Sequence, residues 1–209
     1  MMTENLEKHI PKHQEESSLV ASAVESALAG DRASFEELIT IYQEKIFSMV
    51  YYRTGSHMDS EDLTQDIFMK AFRSLHTLKD KTRFRSWLYS IAVNRVRDFH
   101  KKKRFLVFFD REGEMKDSDT SNMEIHDEPQ EVDHLMRQEF WGHVRNFTDK
   151  LSRWEREVFL LRFLDQLTIR EMAQALSKSE SAIKTHLYRA IKKFKENNEL
   201  TQLLIGDIQ

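Results

Sequence analysis

From Thr82 to Arg104 the chain reads TRFRSWLYSIAVNRVRDFHKKKR, and no Gly or Pro follows until Gly113. Thr82 is a good N-cap residue, and Trp87, Leu88, Ile91, Ala92, Val96 and Phe99 recur at spacings of three and four. That is the period of an amphipathic helix, and so long an apolar stripe has to be buried against other elements. The whole chain has five Gly and two Pro in 209 residues, and alternating Val, Ile and Thr runs are scarce. The partners of this helix are therefore expected to be helices, and the fold class is all-α.

A second row on the same helix, Arg83, Ser86, Ser90, Asn94, Arg97, Lys101 and Arg104, is almost purely hydrogen-bond donating. Between Lys79 and Arg104 ten Lys and Arg stand against Asp80 and Asp98, although the chain as a whole carries −3. One apolar face and one cationic, amide-bearing face suit a nucleic-acid backbone and exposed bases. Taken alone, a solvated charged face is the plainer reading.

Hydrophobic residues make up 40% of the chain, enough for a packed core. There is no cysteine, which excludes disulfides, a cysteine zinc site and a thiol nucleophile, and fits a reducing cytoplasm. The start, MMTENLEKHIPKHQEESS, lacks the apolar core of a signal peptide, and no run of eighteen apolar residues exists. No membrane insertion is expected. His9 and His13 are four apart, but Pro11 between them argues against a helix that would aim both at a metal. No metal and no cofactor are expected. Nor is catalysis, because the phosphate-binding, nucleophile-elbow and zinc-protease motifs are all missing.

The organisation is two small helical domains joined by a flexible acidic linker. Residues 1–17 read as a disordered tail. In 18–104, a helix from Ser18 to Leu28 ends at Gly30, and Asp31 caps a second with Phe35, Leu38, Tyr42 and Ile46 on its stripe. After a turn at Gly55, a third helix runs from Ser60 to Leu75 with Asp59 as N-cap, and His76 to Lys81 lead into the basic helix. Residues 105–133 are the linker: from Asp110 to Asp133 there are ten acids against Arg111 and Lys116. In 134–204, a helix from His134 to Phe147 is followed by two capping boxes, Ser152-Arg153-Trp154-Glu155 and Thr168-Ile169-Arg170-Glu171. A short turn, Ser177-Lys178-Ser179-Glu180, then leads to a helix with Ile183, Leu187, Ala190, Ile191 and Phe194 on its stripe. This is the pattern of a helix-turn-helix, whose second helix enters the DNA major groove. Opposite the stripe lie Ser181, Lys184, Thr185, Tyr188, Arg189 and Lys192, with His186 at a flank. From Lys178 to Lys195 six Lys and Arg stand against Glu180.

Three blocks stand in order: Gly30-Asp31 with Phe35-Glu36-Glu37-Leu38, then DSEDLTQDIF over 59–68, then FRSWLYSIAVNRVRD over 84–98. Together they resemble the second domain of bacterial sigma factors of the extracytoplasmic-function (ECF) class. The block LDQLTIREMAQALSKSESAIKTHLYRAIKKF resembles the fourth domain of the same class. The resemblance covers roughly 150 of the 209 residues. It implies a sigma factor that binds core RNA polymerase and directs promoter-specific initiation. Core docking is then expected at Glu61, Asp62, Gln65, Asp66 and Met69. The melted −10 element is expected at His76, Lys79, Lys81, Arg83, Ser90, Asn94, Arg97, Lys101 and Arg104. The −35 duplex is expected at Ser181, Lys184, Thr185, His186, Tyr188, Arg189 and Lys192. The resemblance also implies an anti-sigma partner, and a linker that passes through a polymerase channel. The turn lacks the Gly or Pro frequent in the family, and Lys184 stands where Arg is common, so the base preference has to be read from these residues. The alternative is a helix-turn-helix regulator that is not a polymerase subunit; the N-terminal domain lacks the sensor motif or heptad seam such a regulator uses.

Overall fold

A computed structural model describes residues 10–110 and 142–197, with side chains over 18–105 and 142–197. Eight helices make up most of the described residues: α1 (Ile10–Leu28), α2 (Arg32–Thr54), α3 (His57–Ser74), α4 (Phe84–Asp110), α5 (142–149), α6 (Arg153–Phe163), α7 (Ile169–Ala175) and α8 (Glu180–Lys195). Single 3₁₀ turns, Leu75–Thr77 and Lys81–Arg83, join α3 to α4. No strand occurs among the described residues, so they are all-α as expected. They form two compact units, one from α1–α4 and one from α5–α8.

In the first unit α4 packs against α1, α2 and α3. It is therefore buried on more than its predicted stripe: Phe84, Leu88, Tyr89, Val93 and Val96 are all buried. Tyr42 of α2 meets the Phe84 ring at 5.5 Å, and Phe35 meets Phe72 of α3 edge-on at 5.0 Å. Asp31 caps α2 by accepting from the Ala33 N–H, and Gly55 closes it in the left-handed region at φ 67°.

Four local expectations change. α1 starts at Ile10, so residues 10–17 are helical rather than a disordered tail; Pro11 sits in the first turn, where its missing N–H costs nothing. His9 lies outside the described residues. α3 starts at His57, capped by Ser56 rather than Asp59, and Ser60 is fully buried. The Ser60 and Thr54 hydroxyls share a hydrogen bond of 2.9 Å inside the unit, which is why a serine can sit in the core there. The N-cap before α4 is Asp80, accepting from the Thr82 N–H, rather than Thr82 itself. α4 then continues to Asp110, so the first six linker residues are helical. The rest of the linker, and residues 134–141 of the predicted helix from His134, lie outside the described residues.

In the second unit α6 and α7 both pack on α8. Phe147 stands edge-on to Phe159 at 5.2 Å and to Phe194 at 5.3 Å, with Leu151 and Ala190 in the same cluster. Both capping boxes form: Glu155 accepts from the Ser152 N–H at 2.9 Å, and Glu171 from the Thr168 N–H at 2.8 Å. Arg162 donates to the Leu167 carbonyl at 3.0 Å, pinning the bend before α7.

The turn before α8 is a Schellman motif without glycine. The Lys178 N–H bonds the Ala173 carbonyl at 2.9 Å and the Ser177 N–H the Gln174 carbonyl at 3.2 Å, with Ser177 at φ 52°. The left-handed conformation strains an L-residue by about 1–2 kcal/mol. Ser177→Gly is expected to raise stability by about 1 kcal/mol without altering DNA binding, as read by chemical denaturation of the full chain.

Candidate nucleic-acid interface

α8 carries its buried side on Ile183, Leu187 and Ala190. Ser179 caps it, accepting from the Ala182 N–H at 3.2 Å. On the opposite side Ser181, Lys184, Thr185, Tyr188, Arg189 and Lys192 are all exposed, Tyr188 to 71%. Six of the seven residues expected at the −35 duplex therefore share one open face. The Thr185 hydroxyl donates to the Ser181 carbonyl at 2.9 Å, and Lys192 stands 4.0 Å from Glu196. His186 departs from the group. It is half-buried, its ring lies 6.5 Å from that of Trp154, and its Nδ1 is buried without a hydrogen bond. A position two residues past Lys184 turns away from the open face of α8 and toward α6, which explains the difference.

The loop before α4 is anchored by Leu78, which is buried, while His76, Thr77 and Lys79 are exposed. Asp80 organises the entry into α4. Its carboxylate accepts from the Thr82 hydroxyl at 2.6 Å and pairs with Arg83 at 2.8 Å. The Thr82 hydroxyl and amide, with Arg83, hold that carboxyl below the usual range. Lys81 reaches Glu25 of α1 at 2.7 Å. Lys81 and Arg83 are thus partly neutralised by fixed carboxylates.

Along α4, Ser90, Asn94, Arg97, Lys101 and Arg104 keep their access to solvent. Ser86 does not: it is 2% exposed and its hydroxyl donates to the Arg83 carbonyl. It belongs to the core edge because α4 is covered on three sides. Trp87, read as core, is half-buried beside Phe84 at 5.7 Å and lies on the row of Ser90 and Asn94. Ser90 donates to the Trp87 carbonyl at 2.6 Å. Asn94 accepts from Arg97 at 2.5 Å, so its amide N–H₂ remains to donate. Lys102 and Lys103, also exposed, extend the cationic end beyond the predicted set.

On α3, Glu61, Asp62, Gln65 and Met69 are exposed. Asp66 is instead paired with Arg95 of α4 and ties the two helices. Beside Gln65 and Met69 runs an open groove of about 460 Å³ lined by Phe35, Ile39, Phe68 and Phe72 of α2 and α3. Nothing in the spacing of Asp66 and Arg95, 29 residues apart, signals their pairing.

A helix-turn-helix with an exposed cationic second helix, together with a unit that carries a cationic loop and helix, defines a DNA-binding protein. Comparison with known proteins makes this specific. A family model described as Sigma-70 region 2 matches residues 38–105, and one described as Sigma-70, region 4 matches residues 144–194. The chain is 33% identical over 183 residues to the ECF RNA polymerase sigma factor BldN of Streptomyces coelicolor, covering 87% of this chain and 67% of that one. It is 25% identical over 172 residues to the ECF RNA polymerase sigma factor SigW of Bacillus subtilis, covering 82% and 92%. Among solved structures, CnrH in complex with the cytosolic domain of CnrY shares the fold, with a TM-score of 0.62 at 21% identity over 90% of this chain and 99% of that one.

The chain belongs to the ECF class of the sigma-70 family of RNA polymerase sigma factors. As such it binds core RNA polymerase and promoter DNA and directs promoter-specific transcription initiation. No described helix is long and apolar enough to cross a membrane.

Proposed function

We propose that the two units divide promoter recognition between them. The unit from α1 to α4 and a second domain over 134–204 serve this division, with the acidic segment between them as the linker. α8 reads the −35 duplex through Ser181, Lys184, Thr185, Tyr188, Arg189 and Lys192. The loop from His76 and the exposed row of α4 capture the melted −10 strand. The observation that carries the reading is the open cationic face of α8 opposite its buried stripe. The protein works in the cytoplasm, as its lack of cysteine favours, and is an initiation factor rather than a catalyst. RpoE of Bartonella quintana has been solved with the anti-sigma factor NepR; an anti-sigma partner is proposed for this chain too.

At the −10 element, Arg97 and Lys101 hold phosphates, and Asn94 offers its amide to a base or sugar. The Arg97→Ala, Lys101→Ala double variant is expected to slow open-complex formation on a closed duplex and flatten its salt dependence. Two lost contacts to a single strand reduce the slope by about 1.4. Premelted templates are expected to restore the rate only in part. Normal binding of single-stranded −10 DNA by this variant contradicts the assignment.

Core polymerase docks on the exposed face of α3. Glu61, Asp62 and Gln65 form a polar rim, and Met69, 49% exposed, with Phe72, 48% exposed, supplies an apolar anchor. Gln65→Arg is expected to weaken core binding about tenfold while leaving helicity intact. Asp66→Arg is a poorer probe, because it also sets two Arg against each other at the Arg95 pair. Unchanged core affinity in Gln65→Arg contradicts the docking face.

A further inference from the structure

A cluster at the N-terminal end of α8 lies outside the residues so far assigned to DNA. The Lys178 ammonium stands 3.9 Å from the centre of the Trp154 ring, and the Arg153 guanidinium 5.0 Å from it. Trp154 is half-buried and Arg153 exposed. Among the described residues no hydrogen bond or ion pair engages either cationic head. The neighbouring carboxylate, Glu155, is already held by Ser152 and by Lys193 at 2.7 Å. Two like charges therefore share one indole with no counter-charge fixed beside them. Each is attracted to the electron-rich face of the ring, and each repels the other.

We propose that Arg153, Trp154 and Lys178 form a clamp for one phosphate of the DNA backbone beside the −35 reading helix. The inference rests on the −35 reading above and adds a contact to it. Its geometry comes from the turn and from α6. Lys178, held by its N–H bond to the Ala173 carbonyl, immediately precedes Ser179, the cap of α8. Arg153 and Trp154 open α6, and the His186 ring of α8 lies along Trp154, so the cluster is fixed to the flank of α8.

A helix is about 10–12 Å across and the major groove about 12 Å wide, so a helix that reads base edges runs between two phosphate walls. Groups on its flank and at its N-terminal turn meet those walls. A guanidinium gives a phosphate paired donors, an ammonium gives a point charge, and the indole holds both in place, so less side-chain freedom is lost on binding.

The test uses holoenzyme assembled from core polymerase and the full chain, with −35 duplexes enriched from a randomised pool. The Arg153→Gln, Lys178→Gln double variant is expected to bind about tenfold more weakly at low salt, with its base preference unchanged. Losing one shared phosphate reduces the salt slope by about 0.9. Trp154→Leu should weaken binding, and Trp154→Phe, which keeps a ring, should restore much of it. Replacing backbone phosphates one at a time by neutral methylphosphonates should reveal one position that weakens the native protein and leaves the double variant unaffected. An unchanged slope in the double variant, or no such position, overturns the clamp. If Trp154→Leu fails to fold, the two Gln substitutions decide alone. If no sequence is enriched, the −35 reading fails, and the clamp is then judged by the same slope on the unselected pool.

Discussion

Lys184→Ala and Arg189→Ala are each expected to reduce −35-dependent transcription by about tenfold or more. A lost base contact costs about 1–3 kcal/mol and relaxes preference at one position, whereas a lost phosphate contact weakens all sequences evenly. Both side chains are exposed on the open face of α8, and neither is tied to a carboxylate among the described residues. Arg189 can donate two parallel bonds to a guanine edge, and Lys184 lies nearer the N-terminal end of α8, the end by which helix-turn-helix recognition helices reach base edges. Initiation rates across a set of single-base −35 variants separate the two kinds of contact. If neither substitution changes those rates, α8 is not the reading helix.

The second large effect is on stability. Glu155 is almost fully buried, accepts from the Ser152 N–H and pairs with Lys193 at 2.7 Å. The Lys193 hydrogen bond, opposed by burial and aided by Ser152, lowers its carboxyl from 4.5 to about 2. A depressed carboxyl contributes stability that is fully present above the unfolded value and is lost as pH falls toward the folded one. The second unit should therefore weaken between about pH 4.5 and about pH 2. Glu155→Gln is expected to cost about 1–2 kcal/mol at neutral pH, because it gives up the charge-assisted bond from the half-exposed Lys193 while a Gln oxygen can still accept from the Ser152 N–H. It should also remove most of that acid dependence. Denaturation of the full chain across this pH range checks both; an unchanged acid limb in Glu155→Gln contradicts the role given to the pair.

Much of this was legible in the chain because local chemistry and global packing agree. The capping boxes at Ser152 and Thr168, the Asp31 cap and the stripe of α8 all follow from neighbours three or four residues apart. What escaped depends on partners distant in sequence, or on a choice between equivalent caps. Ser56 and Asp59 are both good N-cap residues, and the burial of Ser60 against Thr54 favours the earlier start. Ser86 falls on the donor row by spacing, yet α4 is enclosed on that side. His186 turns toward Trp154, and Asp66 finds Arg95, through packing that no local period encodes. Ser177 adopts a glycine-like conformation because the Schellman bonds on either side hold it there.

The most direct test of two-part promoter recognition is transcription by holoenzyme reconstituted from core polymerase and this chain, on a promoter library randomised at both elements. The expected transcripts require core polymerase and show a preferred −35 sequence that is lost on substituting Lys184 or Arg189. They also show a preferred −10 sequence that is altered by exchanging the loop from His76 to Lys81. Initiation with no preference at either element, or preferences untouched by those changes, would contradict it.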